Sequence, residues 1–400
     1  MAYYFIFPEL DTTLYSHPDR KTMNAGSDEL LEIVKEPGSS DQHHHPSRVL
    51  IKFKNDDITS VINLMNKVES TTFTSSLSSS VNLQLSLADA KNITETHVVN
   101  AYAISQSWNE GTGKYLNLPT GSNGASWTYR NNSTTATEWA GVTDATDNFG
   151  DGGGTGSIFS SSGVSAPLTP GGGTWYTGSN FYGTQQFLKG ESLDINIDVK
   201  NVIHKFSASI NAGKIYPEGI QNFGFLLKTL DSVESNPSSS FGELQYFSSD
   251  THTIYPPKLC FKWDDSQHTN QSVAKQTGEL FVSLYGNKKE YNQNEIVKFK
   301  INVRDKYPTR TFPDQQGSNF LKLGYFTTGS FYSIRDAHTE REVIPFDNTF
   351  TKLSSDNGGM YFNLYMNGLQ PERYYRVLLK HINEDGTTIY DNKYYFKVVR

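Results

Sequence analysis

The sequence reads as an all-β protein, and three observations carry that reading. Short apolar stretches alternate with polar ones at the strand period along most of the 400 residues. Aromatics reach 13% of the chain while charged residues stay at 19%, a mixture that suits pleated, half-buried surfaces. The connections are rich in Gly, Ser, Pro and Asn, the residues of turns. The expected architecture is a jelly-roll-like sandwich over residues 1–266 followed by a second sandwich over residues 267–400.

In the first part the strand candidates are "YYFIFPE", "RVLIKFK", "VNLQLSLA", "HVVNAYAIS", "SLDINIDVKNVI", "FGFLLKTL", "GELQYFSS" and "PKLCFKW". In "VNLQLSLA", Val81, Leu83, Leu85 and Leu87 share one face and Asn82, Gln84 and Ser86 the other, as a half-buried antiparallel strand requires. Long helices are expected to be scarce. The longest connection, about residues 140–175, holds "DNFGDGGGTGSIFSSSG" and has almost no periodicity; it is expected to order only against a partner.

After Asp265 the polar stretch "DSQHTNQSVAKQTG" reads as a hinge. Beyond it come "ELFVSLYG", "EIVKFKINVR", "YSIRDAHTEREVIPF", "MYFNLYM", "RYYRVLLKHI" and "YYFKVVR", a number that suits a sandwich of about seven strands. Within "GLQPERYYRVLLK", Leu369, Pro371 and Tyr375 have the Leu-x-Pro-x-x-x-Tyr spacing. That spacing resembles the corner between two strands in fibronectin type III and related immunoglobulin-like domains. The resemblance implies that Tyr375 hydrogen-bonds back across the corner.

Composition excludes several function classes. Net charge is −7, with residues 267–400 carrying 18 basic and 14 acidic groups and residues 1–266 left at −11. That balance speaks against a general nucleic-acid binder. No window approaches eighteen uninterrupted apolar residues, and the start "MAYYFIFPELDTTLY" lacks the basic and apolar regions of a signal peptide, so no membrane insertion is expected. The single Cys260 permits no internal disulfide and no cysteine-based metal site, which points to a reducing folding compartment.

The stretch "WNEGTG", residues 108–113, could be the lip of an active site. Trp108 can bury a large ring under the loop, Gly111 and Gly113 can take backbone conformations closed to other residues, and Glu110 can accept hydrogen bonds from loop amides. Glycosidase chemistry needs a second carboxylate a few ångströms away, and neither Glu138 nor Asp144 sits in a recognisable pattern. A structural role for Trp108, Glu110 and Gly111 is therefore expected, with no catalytic residue.

A family resemblance accompanies this motif. "DTTLYSHPDRKTMNAGSDELLEI", "SRVLIKFKNDDI", "VNLQLSLADA" and "YAISQSWNEGTG" follow one another as do the Asp-Thr strand, Asn-x-Gly turn, Arg-x-x-hydrophobic-x-Phe strand and Trp-x-Glu-Gly-Thr loop of DNRLRE-type β-sandwich modules. The pieces "LDINIDVKNVIHKF", "NFGFLLKT" and "FSSDTHTIYPPKLCFKW" resemble later strands of the same modules. The insertion "KYLNLPTGSNGASWTYRNNSTTATEWAG" departs from that pattern. Over the whole chain, strings such as "FIFPELDTTLYSHPDR", "TEWAG" and "GLQPERYYRV" look like virion structural proteins of contractile-tailed phages, particularly those of marine cyanobacteria. This resemblance implies a virion component made in the host cytoplasm, placed in the tail, baseplate or neck, whose partners are other virion proteins in a symmetric assembly.

Three further motifs yield no cofactor. "QHHHPSR" places adjacent histidines in a loop beside Pro46, where they cannot all face one ion. "NFGDGGGTGS" lacks the Gly-Lys-Ser/Thr ending of a phosphate loop. Asp144, Asp147 and Asp151 lack the closing Glu of an EF-hand. Arg20, Arg48 and Arg130 are expected to pair with local carboxylates. The aromatics Trp127, Trp139, Trp175 and Tyr176 border the long insertion and are the candidate contacts, to protein partners or to host surface glycans, against the plainer expectation that Trp127 is buried within the strand "ASWTYR". The expected function is non-enzymatic docking within a virion. A carbohydrate-binding module and a degraded glycan hydrolase are the alternatives, the first needing exposed ring faces and the second a paired-carboxylate cleft.

Overall fold

The computed structural model describes residues 2–37, 44–69, 79–115, 123–133, 135–139, 155–156, 171–176, 178–212, 219–234, 236, 240–268, 274–275, 279–307, 324–327, 329–384 and 386–400. Strands predominate among them, so the protein is all-β. Most of the insertion near 140–175, with Asp144, Asp147 and Asp151, lies outside the described residues, as do His43 and much of the expected hinge.

Contacts group the chain into two units, one holding the described residues of 6–66 and 72–260, the other holding residues 2–5, 67–69 and the described residues of 261–400. The N-terminal strand, read from the sequence with the first module, belongs in large part to the second. There, the Tyr3 hydroxyl donates to Asp347 Oδ2 at 3.0 Å.

The first unit is built on a sheet in which the chain order is Tyr182–Phe187, His97–Ala103, Phe225–Thr229, His44–Lys52, Leu30–Pro37, Gly242–Phe247 and Leu87–Lys91. The strand His44–Lys52 divides its length between partners. Pro46 pairs with Lys35, whereas Val49 and Leu50 lie between Thr13 and Thr12 on one side and Leu227 and Leu226 on the other. Val49, Leu50 and Ile51 are all fully buried, as a central strand covered on both faces should be. A second sheet pairs Ser79–Leu85 with Ile195–Asp198, Leu83 opposite Ile197.

Two expectations give way here. "VNLQLSLA" is two strands, because the chain changes sheets at Ser86 and Leu87 pairs with Tyr246 in the large sheet. Val81, Leu83 and Leu85 keep the buried face, but Leu87 is only partly buried. The stretch 193–206 is a strand only to Asp198; Lys200–Ala212 is a helix. Asp198 Oδ1 accepts the Lys200 amide at 2.9 Å at its start, and Val199, Val202, Ile203 and Phe206 are buried at helical spacing. A further helix, Asn55–Glu69, buries Ile58, Val61, Ile62 and Met65 by the same rule.

The second unit is a β-sandwich. One sheet orders Leu280–Tyr285, Ile296–Asp305, Gly359–Tyr365 and Ser354–Asp356; the other orders Glu290–Asn292, Gly386–Val399, Arg373–Asn383, Ser330–Asp336 and Glu342–Ile344. Aromatic rings from both sheets fill the space between: Phe299 stacks on Phe362 at 5.0 Å, Phe362 on Tyr332 at 4.2 Å, and Phe396 lies 5.4 Å from Phe299. At the corner before Arg373–Asn383, the buried Tyr375 donates its hydroxyl proton to the Gln370 carbonyl at 2.9 Å, with Leu369 buried beside it. Pro371, partly buried, lies inside the five-residue span that this bond closes.

Candidate functional site

The loop around Glu110 is joined to the segment Asn24–Gly26, and the join is made from side-chain and backbone groups together. Asn24 Nδ2 donates to the carbonyls of Glu110 at 2.6 Å and Ala125 at 2.8 Å. Asn24 Oδ1 accepts the amides of Gly26 at 3.2 Å and Gly113 at 2.8 Å. One buried amide side chain thus uses both donors and both acceptor positions. Gly111 has φ +82°, and a Cβ there would run into the Asn24 side chain. Only glycine meets both conditions without strain. Trp108 is buried and its Nε1 donates to the Phe223 carbonyl at 2.8 Å.

Glu110 itself points back into the first sheet. Its Oε1 accepts the Asp11 amide at 2.7 Å, while Asp11 Oδ2 accepts the Ser249 amide at 2.7 Å. Among the described residues the acidic residue that Glu110 engages through the backbone is Asp11, which the sequence did not single out, whereas Glu138 is exposed; Asp144 lies outside the described residues. Burial pushes the Asp11 carboxyl up to about 7, and the charge of Asp250 adds to the shift against the lowering effect of the Ser249 bonds. Burial likewise raises Glu110 to about 7, opposed by the Asp11 amide and reinforced by the charges of Asp11, Asp250 and Glu9. Such values also occur in acid-base catalysts. Asp11, however, is only 1% exposed, so a substrate cannot reach it, and both carboxylates already hold backbone amides.

A second cluster lies under Trp127 and Trp175. The Arg48 and Glu234 side chains are wholly buried and meet at 2.7 Å, and the buried Lys228 Nζ stands 3.0 Å from the same Glu234 oxygen. Burial opposes the Glu234 charge, but the two cations outweigh it and hold its carboxyl below the ordinary value. The Arg48 guanidinium sits 4.6 Å from the Trp127 ring centre and 5.0 Å from that of Trp175, and its Nη1 donates to the Gly172 carbonyl at 2.7 Å. Gly172, with φ +78°, packs where a Cβ would strike Trp127 and Arg48. The chain segment that returns from the insertion is thus seated on a desolvated ion network.

This placement corrects the expectation that Trp139, Trp175 and Tyr176 offer contact faces, and for Trp127 it agrees with burial in its strand rather than with a contact. All four are at most 5% exposed. Trp139 Nε1 donates to the Ser126 carbonyl at 2.9 Å, and Tyr176 packs on Phe181 at 5.2 Å. The rings are large, and burying each removes enough apolar area from water to outweigh any gain from exposure. Of the three arginines, Arg48 pairs with a carboxylate as expected; Arg20 lies over the Tyr115 ring at 4.3 Å, and Arg130 donates to Ser107 O and Oγ at 3.0 Å each.

Beside Trp108 opens a cleft of about 680 Å³ lined by the amides Asn55, Asn109, Gln221 and Asn222 with Lys52 and Asp56. Asn222 is spent on structure, donating to the Phe53 carbonyl at 2.9 Å, and the Trp108 ring is covered. Among the described residues no group of three His, Cys, Asp or Glu side chains could hold a metal ion. No protein-family model matches the chain, and no curated protein matches it.

Proposed function

We propose that the protein is a non-enzymatic structural component of a phage virion, placed in the tail, baseplate or neck and docking on other virion proteins. The observation that carries the non-enzymatic part is the engagement of Glu110: its Oε1 holds the Asp11 amide at 2.7 Å while Asp11 is sealed from solvent. A motif that resembles an active-site lip is consumed in joining two loops. The virion placement is supported by the whole-chain resemblance to contractile-tail structural proteins. Burial of Trp127, Trp139, Trp175 and Tyr176 removes the ring faces that a sugar platform at the insertion would need, which favours the docking reading over the carbohydrate-binding one at that place.

Purified particles of a phage encoding the chain provide the test. Mass spectrometry should find it at a fixed ratio to the tail proteins, and gold-labelled antibody should mark the tail or neck. Its absence from washed particles overturns the reading. So does sugar release from a glycan panel by the purified wild type that Glu110→Gln abolishes.

A further inference from the structure

The second unit carries a groove that the docking reading does not use. It has a volume of about 620 Å³ and lies along the strand Gly386–Val399, with Tyr374, Tyr394 and Tyr395 in its lining. Tyr374 stands opposite Lys397 and Tyr395 opposite Arg376 in the pairing of Arg373–Asn383 with Gly386–Val399. Their neighbours Tyr375 and Phe396 face the core. The alternation of strand side chains therefore sends Tyr374 and Tyr395 to the outer face, diagonally across two strands. They are 45% and 41% exposed, where the four aromatics at the insertion are hidden.

A local device opens this groove. The strand pairing shifts register between Val377 and Leu379, whose partners are Tyr394 and Tyr390. Asp391–Lys393 stand against the single residue Leu378, two residues in excess, and make a bulge. Lys393 takes φ +49°, its amide bonded to Asp391 Oδ1 at 2.9 Å. Asn392 is lifted across to donate to the Val282 carbonyl at 2.9 Å. Bulges of this kind re-aim side chains, and a lysine in the left-handed region is uncommon enough to need a reason.

Part of the polar lining is spent, Asn392 on the Val282 carbonyl and the Tyr394 hydroxyl on that of Lys288, and part is not. The side chains of Lys289, Lys393 and Ser283 all border the groove and make no hydrogen bond or ion pair among the described residues, while Glu290 lies opposite Lys397 across the strand pair. Exposed tyrosine rings beside free ammonium groups, a hydroxyl and a carboxylate match a ligand with apolar C–H faces, many hydroxyls and a negative charge. We infer that this groove binds an acidic glycan, its sugar rings against Tyr374 and Tyr395 and its carboxylate toward Lys289 and Lys393. Single-stranded nucleic acid also takes aromatic rings and lysines, but a DNA strand has no free sugar hydroxyls to give Glu290, whereas a glycan has many.

Titration of the full chain with trigalacturonate, followed by calorimetry or protein NMR, tests this, with maltotriose and a thymidine oligonucleotide as comparison probes. Saturable binding of trigalacturonate is expected, weaker at high salt. Tyr374→Ala and Tyr395→Ala should each weaken it about tenfold, the worth of one stacked ring. Lys289→Gln and Lys393→Gln should weaken it less and reduce its salt dependence. All four positions are exposed, so melting temperatures should stay unchanged and certify folding. The inference is overturned by no saturation in the millimolar range, by equal binding of maltotriose, by tighter binding of the oligonucleotide, or by tyrosine variants that bind like the wild type. None of these results bears on particle incorporation, so this inference and the virion reading fail separately.

Discussion

At the residue scale, Glu110 shows how one side chain can resemble a catalyst and act as a clasp. Its carboxyl and that of Asp11 both lie near 7, against ordinary values of 4.5 and 3.8. In the folded chain these groups keep protons that the unfolded chain has released, so between about pH 4 and 7 the folded state binds more protons. Stability from this pair is then greatest in acid and is lost as pH rises through 7. Glu110→Gln keeps an oxygen for the Asp11 amide and removes a charge beside Asp11. Its melting temperature relative to wild type should rise between pH 5 and pH 8, and a fall over that range in a pair of thermal scans would contradict the assignment. Gly111→Ala faces the opposite outcome. With φ +82° and Asn24 in the way, it should cost about 2 kcal/mol or more, measurable by urea unfolding.

At the scale of elements, the short helix Asp231–Glu234 matters out of proportion to its four residues, because it delivers Glu234 to Arg48 and Lys228. Removing that carboxylate takes the carboxylate partner from the buried Arg48 and leaves the buried Lys228 to its pair with Asp231. Glu234→Ala should therefore destabilise by about 3–5 kcal/mol and loosen the seat of Trp175, whereas replacing the exposed Glu138 should be nearly neutral. Chemical denaturation of both variants compares them directly. In the second unit, Tyr375→Phe deletes the bond to the Gln370 carbonyl at an otherwise unchanged corner and should cost about 1–2 kcal/mol.

At the scale of the molecule, the division of contacts into two units predicts two calorimetric transitions. Tyr375→Phe should lower one and Gly111→Ala the other. A single transition moved equally by both would show that the units melt as one. Much of this was legible in the sequence where the information is local. Period-two alternation marks Ile296–Asp305 and Gly242–Phe247, and the Leu-x-Pro-x-x-x-Tyr spacing marks the Tyr375 corner. The spacing of glycines and Glu in "WNEGTG" likewise marks a loop that needs special backbone angles. Where the same local pattern serves two structures, the sequence misled: Val199, Val202, Ile203 and Phe206 fit a helix, yet the alternating "LDINIDV" before them drew the strand reading onward. What only the tertiary structure decided are the long-range partners. Asp11 and Glu110 are 99 positions apart, and Arg48 and Glu234 are 186 apart. No periodicity links such residues, because their meeting depends on which strands share a sheet. For the same reason the sequence determined that Trp127, Trp139, Trp175 and Tyr176 are apolar and clustered, while the packing of two loops against a buried ion network decided that they face inward, and the turning of Tyr375 and Phe396 to the core decided that Tyr374 and Tyr395 face out.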